Sequence, residues 1–178
     1  MIDLDENDYG EMDILKGLLA GVAGGLLASF LMEQFQAAWS AAAEAIKSSD
    51  EQKERASQKK SEPATVKTAD AISKKVLGRG VPKEYKATAG EAVHYGMGAG
   101  SAAAYGVLSE VLPIVTVGDG LAFGGALWLL GDEVAVPAAG LSKPPQEIPL
   151  TTHIYALASH LVFGWITETV RAAVRRAL

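Results

Sequence analysis

Four stretches of the chain, 14–35, 90–112, 117–141 and 152–170, are long, apolar and crowded with glycine and alanine, and each carries acidic or histidine residues. A hydrocarbon core of about 30 Å takes about 20 helical residues, and every stretch is of that order. The cleanest run, Gly17 to Met32, has no charge. A soluble four-helix bundle is the competing architecture, and it would show a polar outward stripe on each helix. Leu18, Leu19, Val22, Leu26, Leu27, Phe30 and Leu31 instead surround the first stretch. The expected fold is all-α: an integral membrane bundle of four transmembrane helices, with a polar, partly helical insert at about 48–88 between the first two. Residues 1–13 read as a short acidic tail and 14–178 as one membrane domain.

Several classes are excluded or weakened by what the chain lacks. It has no cysteine, so neither disulfides nor thiolate metal or iron–sulfur sites are open to it. A net charge of −5 gives no basic footprint for nucleic acid. No signal-peptide pattern precedes the first stretch. No Ser–His–Asp order, phosphate-binding glycine loop or zinc-protease helix is present, which leaves an enzyme as the least supported class.

Within the insert, SSDEQKERASQKKSEP has no apolar periodicity. Val66, Ala69, Ile72, Val76 and Leu77 then recur at helical spacing, with Gly78, Gly80 and Pro82 as the stop. This predicts a short amphipathic helix, either lying at the membrane surface with Lys67, Lys74 and Lys75 near phosphate headgroups or capping the loops in water. Small residues repeat at four-residue spacing as Gly17, Gly21 and Gly25, as Ala92, Gly96, Gly100 and Ala104, and as Gly120 and Gly124. In lipid such rows let helix backbones approach closely, within one chain or between copies.

Alternating spans put the end of the first, the start of the second, the end of the third and the start of the fourth on one side. Glu33, Glu91, His94, Asp132, Glu133, His153 and His160 fall near that side, including every histidine of the chain. At 1.5 Å per residue, His94 lies about 6 Å inside its helix, and Asp132 and His160 about 12 to 13 Å inside theirs. Charges at such depth face a bundle interior or a polar cavity. His153 and His160, about 10 Å apart on one helix, cannot chelate one ion together. His94 and His160 can meet across the bundle, with Asp132 or Glu133 orienting them. Three chemistries fit: a pH-responsive layer with no cofactor, a carboxylate and histidine site for a divalent metal, or two axial ligands to haem. Interhelical hydrogen bonds that merely fix register account for the same residues. On the opposite side Lys16, Glu110, Asp119, Glu168 and Arg171 read as interfacial ion pairs. Pro137 predicts a kink that frees the Glu133 carbonyl, and Tyr105, Tyr155 and Trp165 read as packing or belt residues.

The segments AGEAVHYGMGAGSAAAYGVLSEVLP, GDGLAFGGALWLLGDEVAVPAAGL and ALASHLVFGWITETVRAAVRR together resemble the uncharacterised bacterial inner-membrane family typified by YagU. The resemblance covers most of 64–178 and the glycine-rich first span. His94, Tyr105, Glu110, Pro113, Gly120, Pro137, Gly140, His160 and Glu168 fall on its pattern, and some members carry histidine where this chain has Asp132. It implies a multi-pass bacterial inner-membrane location, and a link to acid tolerance proposed for some relatives suits a layer of histidines and carboxylates. Basic residues are more numerous around the insert, yet relatives carry basic ends, and Arg171, Arg175 and Arg176 abut a span; the termini are therefore expected in the cytoplasm. The functional expectation is a non-enzymatic inner-membrane protein whose layer responds to pH or serves the envelope under acid stress. The alternatives are a haem- or metal-binding anchor for a redox partner, and a small channel or transporter subunit. The lipid bilayer is the expected partner, joined by a second copy or a membrane-complex partner.

Overall fold

The computed structural model describes residues 6–46 and 62–178; the acidic segment 1–5 and most of the insert's unpatterned half, 47–61, lie outside the described residues. Among those described the chain is helical, without strands. The long helices are α1 (Glu6–Ala45), α2 (Ala64–Leu77), α3 (Lys86–Val111), α4 (Leu121–Leu127) and α5 (Leu150–Ala177). α4 continues through a π-helical stretch, Trp128–Ala135, into a last turn at Val136–Ala138. Much of the expected tail is helical, because α1 begins at Glu6 rather than near residue 14. At 1.5 Å per residue the 40 residues of α1 run about 60 Å, well beyond a bilayer core.

The elements begin and end where local chemistry dictates. α2 starts after Pro63 and stops at Gly78, whose left-handed conformation (φ 70°) lets its N–H reach the Lys74 carbonyl, with Lys74 and Lys75 in the last turn opposite the negative end of the helix dipole. α3 stops before Pro113. A tight turn then needs positive φ at Gly118, Asp119 and Gly120 in succession, and Asp119 (φ 52°) is of the non-glycine type that tolerates it. Asp119 therefore belongs to a turn rather than to a span, and the third helical segment starts at Leu121, later than expected.

α4 packs on α5, α5 on α1, α1 on α3, and α3 on α2. The seams are lined with small residues. A Cβ at Gly21 would strike the Ala102 carbonyl, one at Gly25 would stand 2.6 Å from the Gly98 oxygen, and one at Gly106 would strike the Gly17 oxygen. The α4–α5 seam is built alike: Gly120 and Gly164 lie against each other's carbonyls, and Gly124 lies against that of His160. Gly24 faces the Thr167 oxygen of α5. The row of α3 that meets α1 is thus Gly98, Ala102 and Gly106. The row expected from sequence, Ala92, Gly96, Gly100 and Ala104, is exposed, with open space around both of its glycines.

Large apolar side chains lie on the outside. Among the described residues the core cluster is Ala28, Met32, Ala102 and Phe163, flanked by Phe123, Leu127 and Ile166. Ser29, Ser159 and Thr167 are fully buried, while Leu19, Leu26, Leu27 and Phe30 of α1 and Leu129, Leu130 and Val134 after α4 are exposed. This inverts the distribution of a water-soluble bundle and suits a surface facing lipid, where small residues carry the helix contacts. Among the described residues two helical segments are long and apolar enough to cross a membrane, Met12–Ala45 and Leu121–Ala138. α3 and α5, at 26 and 28 residues, are long enough, but they are interrupted by glycine, serine, threonine, histidine and tyrosine and do not reach the same hydropathy.

Candidate functional site

α3 and the π-helical stretch face each other across a gap at the end of the bundle that carries α2. Between them lies a cleft of about 910 Å³. Its walls are His94, Met97 and Ser101 of α3, Leu127, Gly131, Asp132 and Val136 opposite, and Ser29, Met32 and Glu33 of α1 with His160 and Phe163 of α5 between. Glu62, Lys83, Lys86 and Glu91 also line it. Lys86 bonds Glu62 at 2.8 Å, and that bond holds its ammonium above the usual range. Beyond the cleft, Phe123 of α4 stacks on Tyr105 of α3 with ring centroids 4.3 Å apart.

Each histidine of the chain faces a carboxylate on a neighbouring element. His94 Nε2 lies 3.8 Å from Glu33 Oε1 of α1 and 3.5 Å from the Ser29 carbonyl. Glu33 also accepts the Tyr95 hydroxyl at 3.0 Å. His160 Nδ1 lies 3.7 Å from Asp132 Oδ2 and donates to the Ala156 carbonyl of its own helix at 2.9 Å. His153 Nδ1 and Glu133 Oε1 are 2.6 Å apart, and His153 Nε2 donates to the Pro145 carbonyl at 3.1 Å. A carbonyl only accepts, so Nε2 is the donor in that bond and Nδ1 is the nitrogen turned to Glu133. The Glu133–His153 pair borders a smaller pocket of about 190 Å³, and Asp132 lines both cavities.

The seven residues expected in one layer thus resolve into three pairs, with Glu91 exposed on the cleft wall. His94 and His160 line the same cleft from different helices. Among the described residues no three His, Asp or Glu side chains converge as a metal ion requires. Asp132 and Glu133 sit in the π-helical stretch, where the N–H of Val136 reaches back five residues to Gly131. This wider winding stands just before Pro137, and its two adjacent carboxylates meet histidines two turns apart on α5.

The most buried ionic network lies at the other end, among residues first read as interfacial pairs. Arg171 clamps Glu168 with two hydrogen bonds of 2.7 and 2.8 Å, and Tyr105 donates to the same carboxylate at 2.9 Å. Arg175 bonds Glu110 at 2.8 Å and Asp13 at 2.6 Å. α1, α3 and α5 are thereby tied together, with Glu168 and Arg171 each 8% exposed. Tyr105, expected as a packing residue, supplies one of its buried hydrogen bonds. The sequence signal was the Glu168–Arg171 spacing of three on one helix. Nothing in the spacing pointed to Tyr105, Tyr95 or Ser29.

Residues 80–169 match the family described as "Protein of unknown function (DUF1440)". The chain is also similar to the inner membrane protein YagU of Escherichia coli (strain K12), 29% identical over 77 residues. That match covers 43% of this chain and 38% of the relative, so the chain spans well under two thirds of that protein. No solved structure matches. The matched region holds α3, α4, the π-helical stretch and most of α5, with all three histidines, the Glu133–His153 and Asp132–His160 pairs and the Tyr105–Glu168 contact, and the chain belongs to this DUF1440 family of unknown function.

Proposed function

We propose that this chain is a multi-pass inner-membrane protein of four spanning helices, α1, α3, α4 with its continuation, and α5, in which protons bound at the three His–carboxylate pairs govern how the cleft walls are held. One observation carries the reading: each histidine faces a carboxylate on a different element across a helix seam, not on its own helix. His94 and Glu33 join α3 to α1; His160 with Asp132 and His153 with Glu133 join α5 to the π-helical stretch. A protonated imidazole beside a carboxylate in a low-dielectric site attracts far more strongly than a neutral one. Acid therefore tightens both walls of the cleft, and alkali loosens them. In this reading the termini, where Arg171, Arg175 and Arg176 follow a span, face the cytoplasm, and the role is non-enzymatic, in envelope homeostasis under acid conditions.

The test is histidine NMR on the protein in nanodiscs between pH 8 and pH 5, with spin-label distances between α4 and α5 measured over the same range. The expected result is that imidazole titration accompanies a change in helix separation, and that Glu133→Gln moves the midpoint of His153 while leaving that of His94 in place. Titration without any change in separation refutes the proposal.

A further inference from the structure

We propose that α2 lies in the headgroup layer of an anionic bilayer, with Ile72, Val76 and Leu77 dipped into it and Lys75, Arg79 and Lys83 on lipid phosphates. This rests on the membrane-spanning reading of α3, whose first turns α2 contacts.

Only part of the apolar arc of α2 is used inside the protein. Val66 and Ala69 are buried, and Val66 fits against Gly90, where a Cβ would come within 2.6 Å of its Cγ2. Ile72 and Val76, one turn apart beside that buried seam, are 52% and 73% exposed, and Leu77 is 66% exposed. Lys67 and Lys74 occupy the opposite flank, so the helix has the divided surface of one that lies in an interface. Gly90 marks the start of the second span, which sets α2 at the level where a bilayer boundary falls. Trp39 and Tyr155, whose rings are 5.9 Å apart, and the exposed Tyr85 lie toward the same end, in keeping with an aromatic belt.

The charge is complementary to anionic lipid. Asp70, the one acid of α2, is engaged by Lys74 at 2.7 Å and by the Val81 N–H at 2.9 Å. Lys67 is spent on the Leu141 carbonyl. Lys75, Arg79 and Lys83 are exposed and have no ion-pair partner among the described residues. Three cations beside an exposed apolar flank match a phosphate layer over an acyl region.

The absence of cysteine makes single-site labelling direct. Spin labels at Ile72→Cys and Val76→Cys, at Ala71→Cys on the outward side, and at Leu27→Cys in mid-α1 are read for oxygen and nickel-chelate accessibility. The full chain is placed in nanodiscs of phosphatidylcholine with or without phosphatidylglycerol. The expected result places labels 72 and 76 about 5–10 Å below the phosphates, with label 71 in water and label 27 deep in the acyl region. It also makes the depth at 72 and 76 increase with phosphatidylglycerol, a dependence lost in Lys75→Gln/Arg79→Gln/Lys83→Gln. Labels 72 and 76 as open to the nickel chelate as label 71, with label 27 in lipid, overturn the inference and leave the spanning helices intact. Labels closed to both reagents mean that protein covers the flank, which also overturns it. A water-exposed label 27 overturns the spanning reading and the inference with it. Quenching of Val76→Trp fluorescence by brominated lipids gives the same answer independently of cysteine labelling.

Discussion

Replacing Gly21 by alanine forces α1 and α3 apart. The added Cβ would strike the Ala102 oxygen and stand 3.0 Å from the Ala102 carbonyl carbon and 3.1 Å from the Ala103 Cα. All three are backbone atoms, so no rotamer change relieves the contact. Carbon pairs are comfortable from about 3.5 Å, and the oxygen contact is the closest of the three, so the helices must separate by about an ångström at this crossing. A misfit of that size in a packed interior costs about 1–3 kcal/mol. Alanine returns at most about 1 kcal/mol through its better helix propensity, leaving a net loss of up to about 2 kcal/mol. Gly100, only two residues from Gly98 of the same seam on α3, is exposed with nothing within 4 Å, so Gly100→Ala keeps the propensity gain alone. The two variants should therefore move in opposite directions in reversible unfolding by sodium dodecyl sulfate in mixed micelles, followed by far-ultraviolet circular dichroism. Equal midpoints, or a more stable Gly21→Ala, would show that α1 and α3 do not meet at this seam.

Glu168→Ala strands the buried Arg171 guanidinium, because Glu110 at 3.8 Å is too far to replace two short bonds; a loss of about 3–5 kcal/mol is expected in the same unfolding assay. Tyr105→Phe removes one hydrogen bond to a carboxylate that keeps its arginine, and should cost about 1.5 kcal/mol. Ser29→Ala removes a fully buried hydroxyl that has no hydrogen-bond partner among the described residues, so its unfolding midpoint should hold or rise, by up to about 1 kcal/mol. Asp70 is held below its ordinary 3.8, first by its hydrogen bond with Lys74 and then by the Val81 N–H. A lowered carboxyl stabilises the docked turn above its unfolded-state value and loses that contribution as pH falls through the folded one. The Val81 amide resonance should hence stay constant from neutral pH to about pH 5 and shift in stronger acid, and Asp70→Asn should abolish that shift.

Depth was legible in the sequence, whereas rotation about each helix axis was not. The rise of 1.5 Å per residue places His94, Asp132, Glu133, His153 and His160 toward one end of the bundle whatever their neighbours do. Which of them meet depends on which way each side chain points. On α3 the apolar pattern fails to say, because Ala92, Gly96, Gly100 and Ala104 form a small-residue row as good as Gly98, Ala102 and Gly106. Periodicity detects a row but not its partner, and only the facing Gly17, Gly21 and Gly25 of α1 decide between the two. On the third segment the helix itself changes pitch. An α-helical count does not say which histidine each of the adjacent Asp132 and Glu133 meets; in the π-wound stretch before Pro137, Asp132 faces His160 and Glu133 faces His153. The Tyr105–Glu168–Arg171 network escaped for the same reason, since its half on α5 is local and its half on α3 depends on a seam. Where small residues pack backbone against backbone, the identity of a contact resides in shape rather than in hydrophobicity. Substitutions that add one carbon, rather than those that remove charge, are therefore the sharpest probes of how this bundle is assembled.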